Sequence, residues 1–144
     1  MASWRDDATE EAQDDLDELV NAAMVFAQRM LYRHREFYPY AVALEANGET
    51  RMLGANEGDN YPSSTDLLRG LIDGLRNQRD ALIAAAVVAD VRVADSDAIR
   101  VECEHRDGHA IVVLLPYKKY RLKRGVEYGE LSASAGEPKI WTTA

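Results

Sequence analysis

"ECEHRDGHAIVVLLPY", residues 102–117, decides how this chain folds. It gathers Glu102, Cys103, Glu104, His105, Asp107 and His109, the side chains from which metal sites and acid–base centres are made. It also reads as a β-hairpin. Residues 98–106 alternate apolar and polar, Asp107-Gly108 is a favoured two-residue turn, and residues 109–117 are apolar almost throughout. Such a turn sets Arg106 opposite His109, His105 opposite Ala110, Glu104 opposite Ile111 and Cys103 opposite Val112. Side chains alternate across a strand. On that register Cys103 and His105 share a face with Ala110, Val112 and Leu114. Glu102, Glu104 and His109 share the other face with Ile111, Val113 and Leu115. The sheet itself splits the cluster.

That split weakens the chemical readings. Cys103 is the chain's one cysteine, so a zinc site would need His34 and remote carboxylates as further ligands. A reactive thiol needs a base within hydrogen-bond reach and access to solvent. His105 lies about 7 Å further along the strand, and Cys103 sits in mid-strand on an apolar face. Glu102 and Glu104 are flanked by Arg100 and Arg106, as in a solvated charge ladder. "GANEGDNYPSS", residues 54–64, has neither a Walker lysine nor GxGxxG spacing, and the chain contains no GxSxG or HExxH. The expectation is no catalytic residue, no cofactor and no metal.

Outward from the hairpin, residues 7–35 carry apolar positions at helical spacing from Ala12 to Leu31, with Asp7 as cap and Glu10 three residues on. "YAVALEANGETRMLG", residues 40–54, is a second hairpin. A type I′ turn at Asn47-Gly48 pairs Leu44 with Arg51, Ala43 with Met52 and Val42 with Leu53. A loop leads to a second helix over about 64–85, capped by Ser63, with Leu67, Leu68, Leu71, Ile72, Leu75, Leu82 and Ile83 as its buried stripe. Gly70 and Gly74 in that helix imply close packing. "AVVADVRVA", residues 86–94, leads through an Asp95-Ser96-Asp97 turn into the opening hairpin, and Val126–Ser132 adds an edge strand. Trp141 is read as a tail anchor. The result is one α+β domain over residues 1–144, an antiparallel sheet of about five to six strands with two helices, in the order α-β-β-α-β-β-β(-β). Residues 118–144 form a basic segment and a tail packed on it.

Charge is unevenly spread along the chain. Of the net −8, residues 1–28 hold eight acids against Arg5, while the remainder is nearly balanced. Arg29, Arg33, His34 and Arg35 suit the dipole at the far end of the first helix. Nucleic-acid binding by the whole surface is disfavoured, since phosphate contacts need a concentrated basic face. No signal peptide or membrane-length apolar run is present, and a lone cysteine fits a reducing compartment, so a cytoplasmic location is expected.

Two surfaces remain to be explained. Ile111, Val113 and Leu115 lie on a face that a single helical layer leaves bare, to be covered by the first helix, the tail or another subunit. "KKYRLKR", residues 118–124, reads as a solvated edge in which Lys118, Lys119, Arg121, Lys123 and Arg124 can also dock an acidic surface, including the acidic start of the first helix on this or a neighbouring copy.

The element order over about residues 10–118, with "YAVALEANGETRML" preceding a helix and a meander, resembles the roadblock and longin-type group of small α+β domains. The resemblance implies a non-catalytic dimerisation or scaffolding module, often serving small GTPases; this chain lacks a clear closing helix after residue 118. The leading expectation is thus a non-enzymatic protein-interaction module that binds a protein partner or itself as a homodimer, with no membrane partner. The alternatives are an immunity- or antitoxin-like protein with a basic partner, and a small-ligand pocket built from Tyr38, Tyr40, His105 and Tyr117.

Overall fold

In the computed structural model, which describes residues 8–54 and 63–142, the first amphipathic segment is helix α1, Glu10–His34. Its cap is Thr9, whose hydroxyl accepts the Ala12 N–H at 3.1 Å. The expected cap, Asp7, lies outside the described residues. At the other end Arg35 takes the left-handed conformation (φ +65°) and returns its N–H to the Leu31 carbonyl.

The protein is α+β. Strands β1 (Tyr40–Glu45), β2 (Thr50–Leu53), β3 (Leu82–Val93), β4 (Ser96–His105) and β5 (Ala110–Lys119) form an antiparallel sheet in the order β2-β1-β3-β4-β5. Strands β6 (Val126–Tyr128) and β7 (Ser132–Ala135) both pair with the outer edge of β5, so the single edge strand expected over 126–132 is two short ones. Helix α2 covers Ser64–Gln78, and the Ser63 hydroxyl accepts the Asp66 N–H, as the spacing predicts.

Helix α2 stops earlier than its pattern suggests. A 3₁₀ turn, Arg79–Ala81, follows it, and Leu82 and Ile83 open β3. "LIAAAVVA" is buried on both faces, so it carries no alternation to mark where helix gives way to strand. Residues 55–62, most of the expected loop, lie outside the described residues. Gly70 and Gly74 do not mark close packing, since a Cβ at either would meet nothing within 4 Å. Gly54 does: it holds φ +87°, and a Cβ there would run into the Leu71 side chain.

Both glycine-bearing hairpins are shifted by one residue from the expected register, for one reason. The turns are three residues long, Ala46-Asn47-Gly48 and Arg106-Asp107-Gly108, and only the glycine has positive φ (+88° and +105°). The Asn47 and Asp107 side chains accept the N–H two residues on, from Glu49 at 2.9 Å and His109 at 3.0 Å. These contacts hold both residues in ordinary backbone space, where a type I′ turn would need positive φ. Leu44 therefore pairs with Thr50, Ala43 with Arg51 and Val42 with Met52. Cys103 pairs with Ile111, Val101 with Val113 and Ile99 with Leu115. The β3–β4 turn is Ala94-Asp95, one residue before the expected one, with Ala94 at φ +54°.

A one-residue slip exchanges the faces of a strand. Ile111, Val113 and Leu115, at 2, 3 and 7% exposure, join Ile99, Val101, Cys103 and Tyr117 beneath α1 instead of a second, bare face. Leu16, Leu19 and Leu31 of α1 complete this core, which also takes in Ala23 and Ala27 of α1 and Ala84 and Ala86 of β3.

The opposite face is smaller and is covered by α2 and the tail. Ala41, Ala43, Ala85 and Val87 meet Leu75, Leu82 and Ile140, with Leu68, Leu71, Ile72 and Trp141 packed around them. The tail is fixed by charge. Glu104, expected in a solvated ladder, is 4% exposed; its carboxylate accepts the N–H groups of Lys139 (2.9 Å), Ile140 (2.9 Å) and Trp141 (2.7 Å). Arg79 donates to the carbonyls of Ile140 (3.0 Å) and Thr142 (3.4 Å). An acid thus holds the tail's donors and a base its acceptors, and Ile140 (3% exposed) fills the space between the layers.

Candidate functional site

The residues that look most like chemistry are engaged by their neighbours in the fold. Cys103 is 2% exposed, and burial, aided by the Glu102 charge, pushes its thiol far above the ordinary range. His105 closes the end of the α1 core. Its Nε2 lies 2.9 Å from the Asp15 carboxylate of α1, and its Nδ1 lies 3.2 Å from both the N–H and the carboxylate of Asp107. Burial raises the Asp107 carboxyl, but the backbone N–H and ring of His109, with His105 nearby, outweigh it and hold Asp107 below its usual value. Glu102 pairs with Arg100 at 2.9 Å and with Lys139 at 3.2 Å. Among the described residues no three His, Cys, Asp or Glu converge into a metal-ligand set.

The four residues of the predicted ligand pocket are dispersed. Tyr38 and Tyr40 line a cleft with Phe26, Met30, Phe37 and Met52, and His34 and Glu36 border it. The Tyr40 ring meets Phe26 and Phe37 edge-on, and its hydroxyl donates to the Ala23 carbonyl at 2.5 Å. Burial raises this phenol well above its ordinary pKa. Tyr117 instead donates to Asp90 at 2.5 Å under the main core, and His105 lies at the hairpin turn.

The cationic segment does assemble into a face. The chain leaves β5, bends at residues 120–125 and returns through Gly125 (φ +97°), where the Tyr120 N–H meets the Gly125 carbonyl at 3.2 Å. This loop rests on the end of α1. Arg35 donates to the Tyr120 carbonyl at 3.1 Å, the Arg124 guanidinium lies 5.7 Å from the Tyr32 ring centre, and Lys123 sits 4.3 Å over Tyr120. The left-handed Arg35, an uncommon conformation for a non-glycine residue, helps set the start of that reach. A shallow concavity results, lined by Tyr32, Arg33, Arg35, Arg121, Leu122, Lys123 and Arg124. It holds five cations, none of them ion-paired with a carboxylate among the described residues. Leu122 stands among them at 100% exposure.

Of the residues named from the sequence, Arg121, Lys123 and Arg124 come together here. Lys118 and Lys119 lie further back on β5, opposite Glu127 and Val126 of β6. Ile111, Val113 and Leu115 are core and present nothing to a partner in this fold. Arg33 and Arg35 are the additions. Their signal was the basic last turn of the first helix, which the dipole explained on its own. Among the described residues, no helix is long and apolar enough to cross a membrane. No family model, curated protein or solved structure matches the chain.

Proposed function

We propose that this protein is a non-catalytic interaction module whose working surface is the face formed by Arg33, Arg35, Arg121, Lys123 and Arg124, and that it docks an acidic protein surface. One observation carries the reading. A large apolar side chain, Leu122, is wholly in water among five cations that no carboxylate of the described residues neutralises. Hydration keeps such a group soluble but gives the fold nothing, and an opposing acidic surface removes both liabilities by pairing the charges and burying the leucine. The sealed thiol of Cys103, the engaged ring of His105 and the resemblance in element order to dimerisation and scaffolding modules support the same reading.

The test is fluorescence anisotropy with a labelled glutamate-rich peptide carrying one leucine. The wild-type chain is expected to bind it in low salt and to lose it as salt rises. Arg121→Glu/Lys123→Glu/Arg124→Glu should abolish binding without altering the circular dichroism spectrum, and Leu122→Ala should weaken it. Undiminished binding by the triple variant, or equal binding of single-stranded DNA, would overturn the reading.

A further inference from the structure

We infer that the acidic surface received by this face is the start of α1 on a second copy of the chain, so that copies add head to tail. The inference rests on the docking reading above and names its partner.

Both charged regions lie on one helix. Glu10, Glu11, Asp14 and Glu18 are exposed at its start, while Asp15 is turned to His105. Arg33 and Arg35 stand at its end with the loop cations beside them. Both groups lie on the helix Glu10–His34, and from Glu18 to Arg33 the rise is about 22 Å at 1.5 Å per residue, from Glu10 to Arg35 about 37 Å. Both spans exceed the screening length in physiological salt, where the Debye length is about 8 Å. The ends therefore cannot neutralise each other within one molecule. They can do so between molecules.

The rest of the chain makes a second copy the fitting partner. Beyond residue 28 the acids and bases nearly cancel, so the acidic helix start holds most of the charge asymmetry and is itself the kind of surface the cationic face needs. The two contacting surfaces differ, so the contact is heterologous. Unless its rotation closes a ring, such a contact propagates instead of stopping at a dimer.

This geometry has a mixing signature that a symmetric dimer cannot imitate. Arg121→Glu/Lys123→Glu/Arg124→Glu removes the cationic face and keeps the acidic end. Glu10→Gln/Glu11→Gln/Asp14→Asn does the reverse with side chains that a helix accepts. In low-salt sedimentation velocity, wild-type mass should rise steadily with concentration and return to monomer in about 1 M salt, where screening falls to about 3 Å. Each variant alone should be monomeric at every concentration. Their equimolar mixture should form a one-to-one pair and nothing larger. Unchanged melting of both variants keeps the comparison clean, and Leu122→Ala, which touches no charge, should weaken assembly several-fold.

A wild-type monomer in low salt, a closed dimer indifferent to either variant, or a mixture without the pair would overturn the inference. If the wild type stays monomeric while the glutamate-rich peptide still requires the cationic face, head-to-tail assembly falls and the docking reading stands. If peptide binding fails too, both fall. A wild-type monomer that binds phosphatidylserine vesicles through Leu122 would replace the second copy with a lipid surface and overturn both.

Discussion

The two faces of the sheet are closed by different forces. Beneath α1, Leu16, Leu19 and Leu31 meet a continuous apolar layer from Tyr40 to Leu115, and the fit comes from area and volume. Across the sheet, α2 covers only part of a smaller cluster, and the remainder is sealed by the tail. That tail is held by Glu104 on its N–H groups and Arg79 on its carbonyls. A helix repeats its apolar face every turn and holds itself by packing. An extended strap has few apolar residues to bury and needs directional contacts to stay in place.

If that contrast is right, mutations on the two faces should differ in kind. Leu16→Ala and Leu19→Ala should cost the most, about 3–5 kcal/mol each in urea denaturation, through the cavity left under α1. In a Trp4→Phe background, where Trp141 alone reports, neither should move the native emission maximum. Glu104→Ala should cost about 2–4 kcal/mol, because three charge-assisted hydrogen bonds lose their acceptor. Unlike the leucine variants, it should shift native Trp141 emission to the red as the tail lifts. No shift and no loss would mean that the strap is held by packing after all.

Gly54→Ala should be destabilising by about 1–3 kcal/mol, since it forces a Cβ into the left-handed region and against Leu71. Gly70→Ala and Gly74→Ala should each raise stability by about 1 kcal/mol, as both sites have room and gain helix propensity. A loss at either would show that the glycines serve a contact outside the isolated chain. The smallest effect is in pH. The Asp107 carboxyl is held below its unfolded value, so the unfolded chain binds more protons between the two values. Its contribution is full above the ordinary carboxylate range and fades as pH falls through the folded value. Asp107→Asn should flatten that part of the acid stability curve, and an unchanged curve would remove the assigned role of His109.

Element type was legible wherever periodicity was strong, as in α1, the Ser63 cap and the alternating strand 98–105. Register was not. "NG" and "DG" announce a hairpin, but choosing between two-residue and three-residue turns depends on whether the Asn or Asp side chain caps the N–H two residues on. That single bond decides whether Ile111, Val113 and Leu115 are surface or core. The junction at Leu82 was hidden because a strand buried on both sides and a buried helix end share one composition. Glu104 gave no signal at all, since a carboxylate in an alternating strand looks the same whether its face meets water or the N–H groups of residues 139–141.

The basic run at 118–124 and the basic end of the first helix were both visible in the chain by itself, as were the element order and the acidic helix start. Proximity was the work of the tertiary structure, which folded the loop after β5 back onto α1 and set Leu122 among five cations. Composition and local pattern act over a few residues and are written in the sequence. Which distant groups meet depends on strand register and on how the chain turns, and those are decided by the packing of the whole.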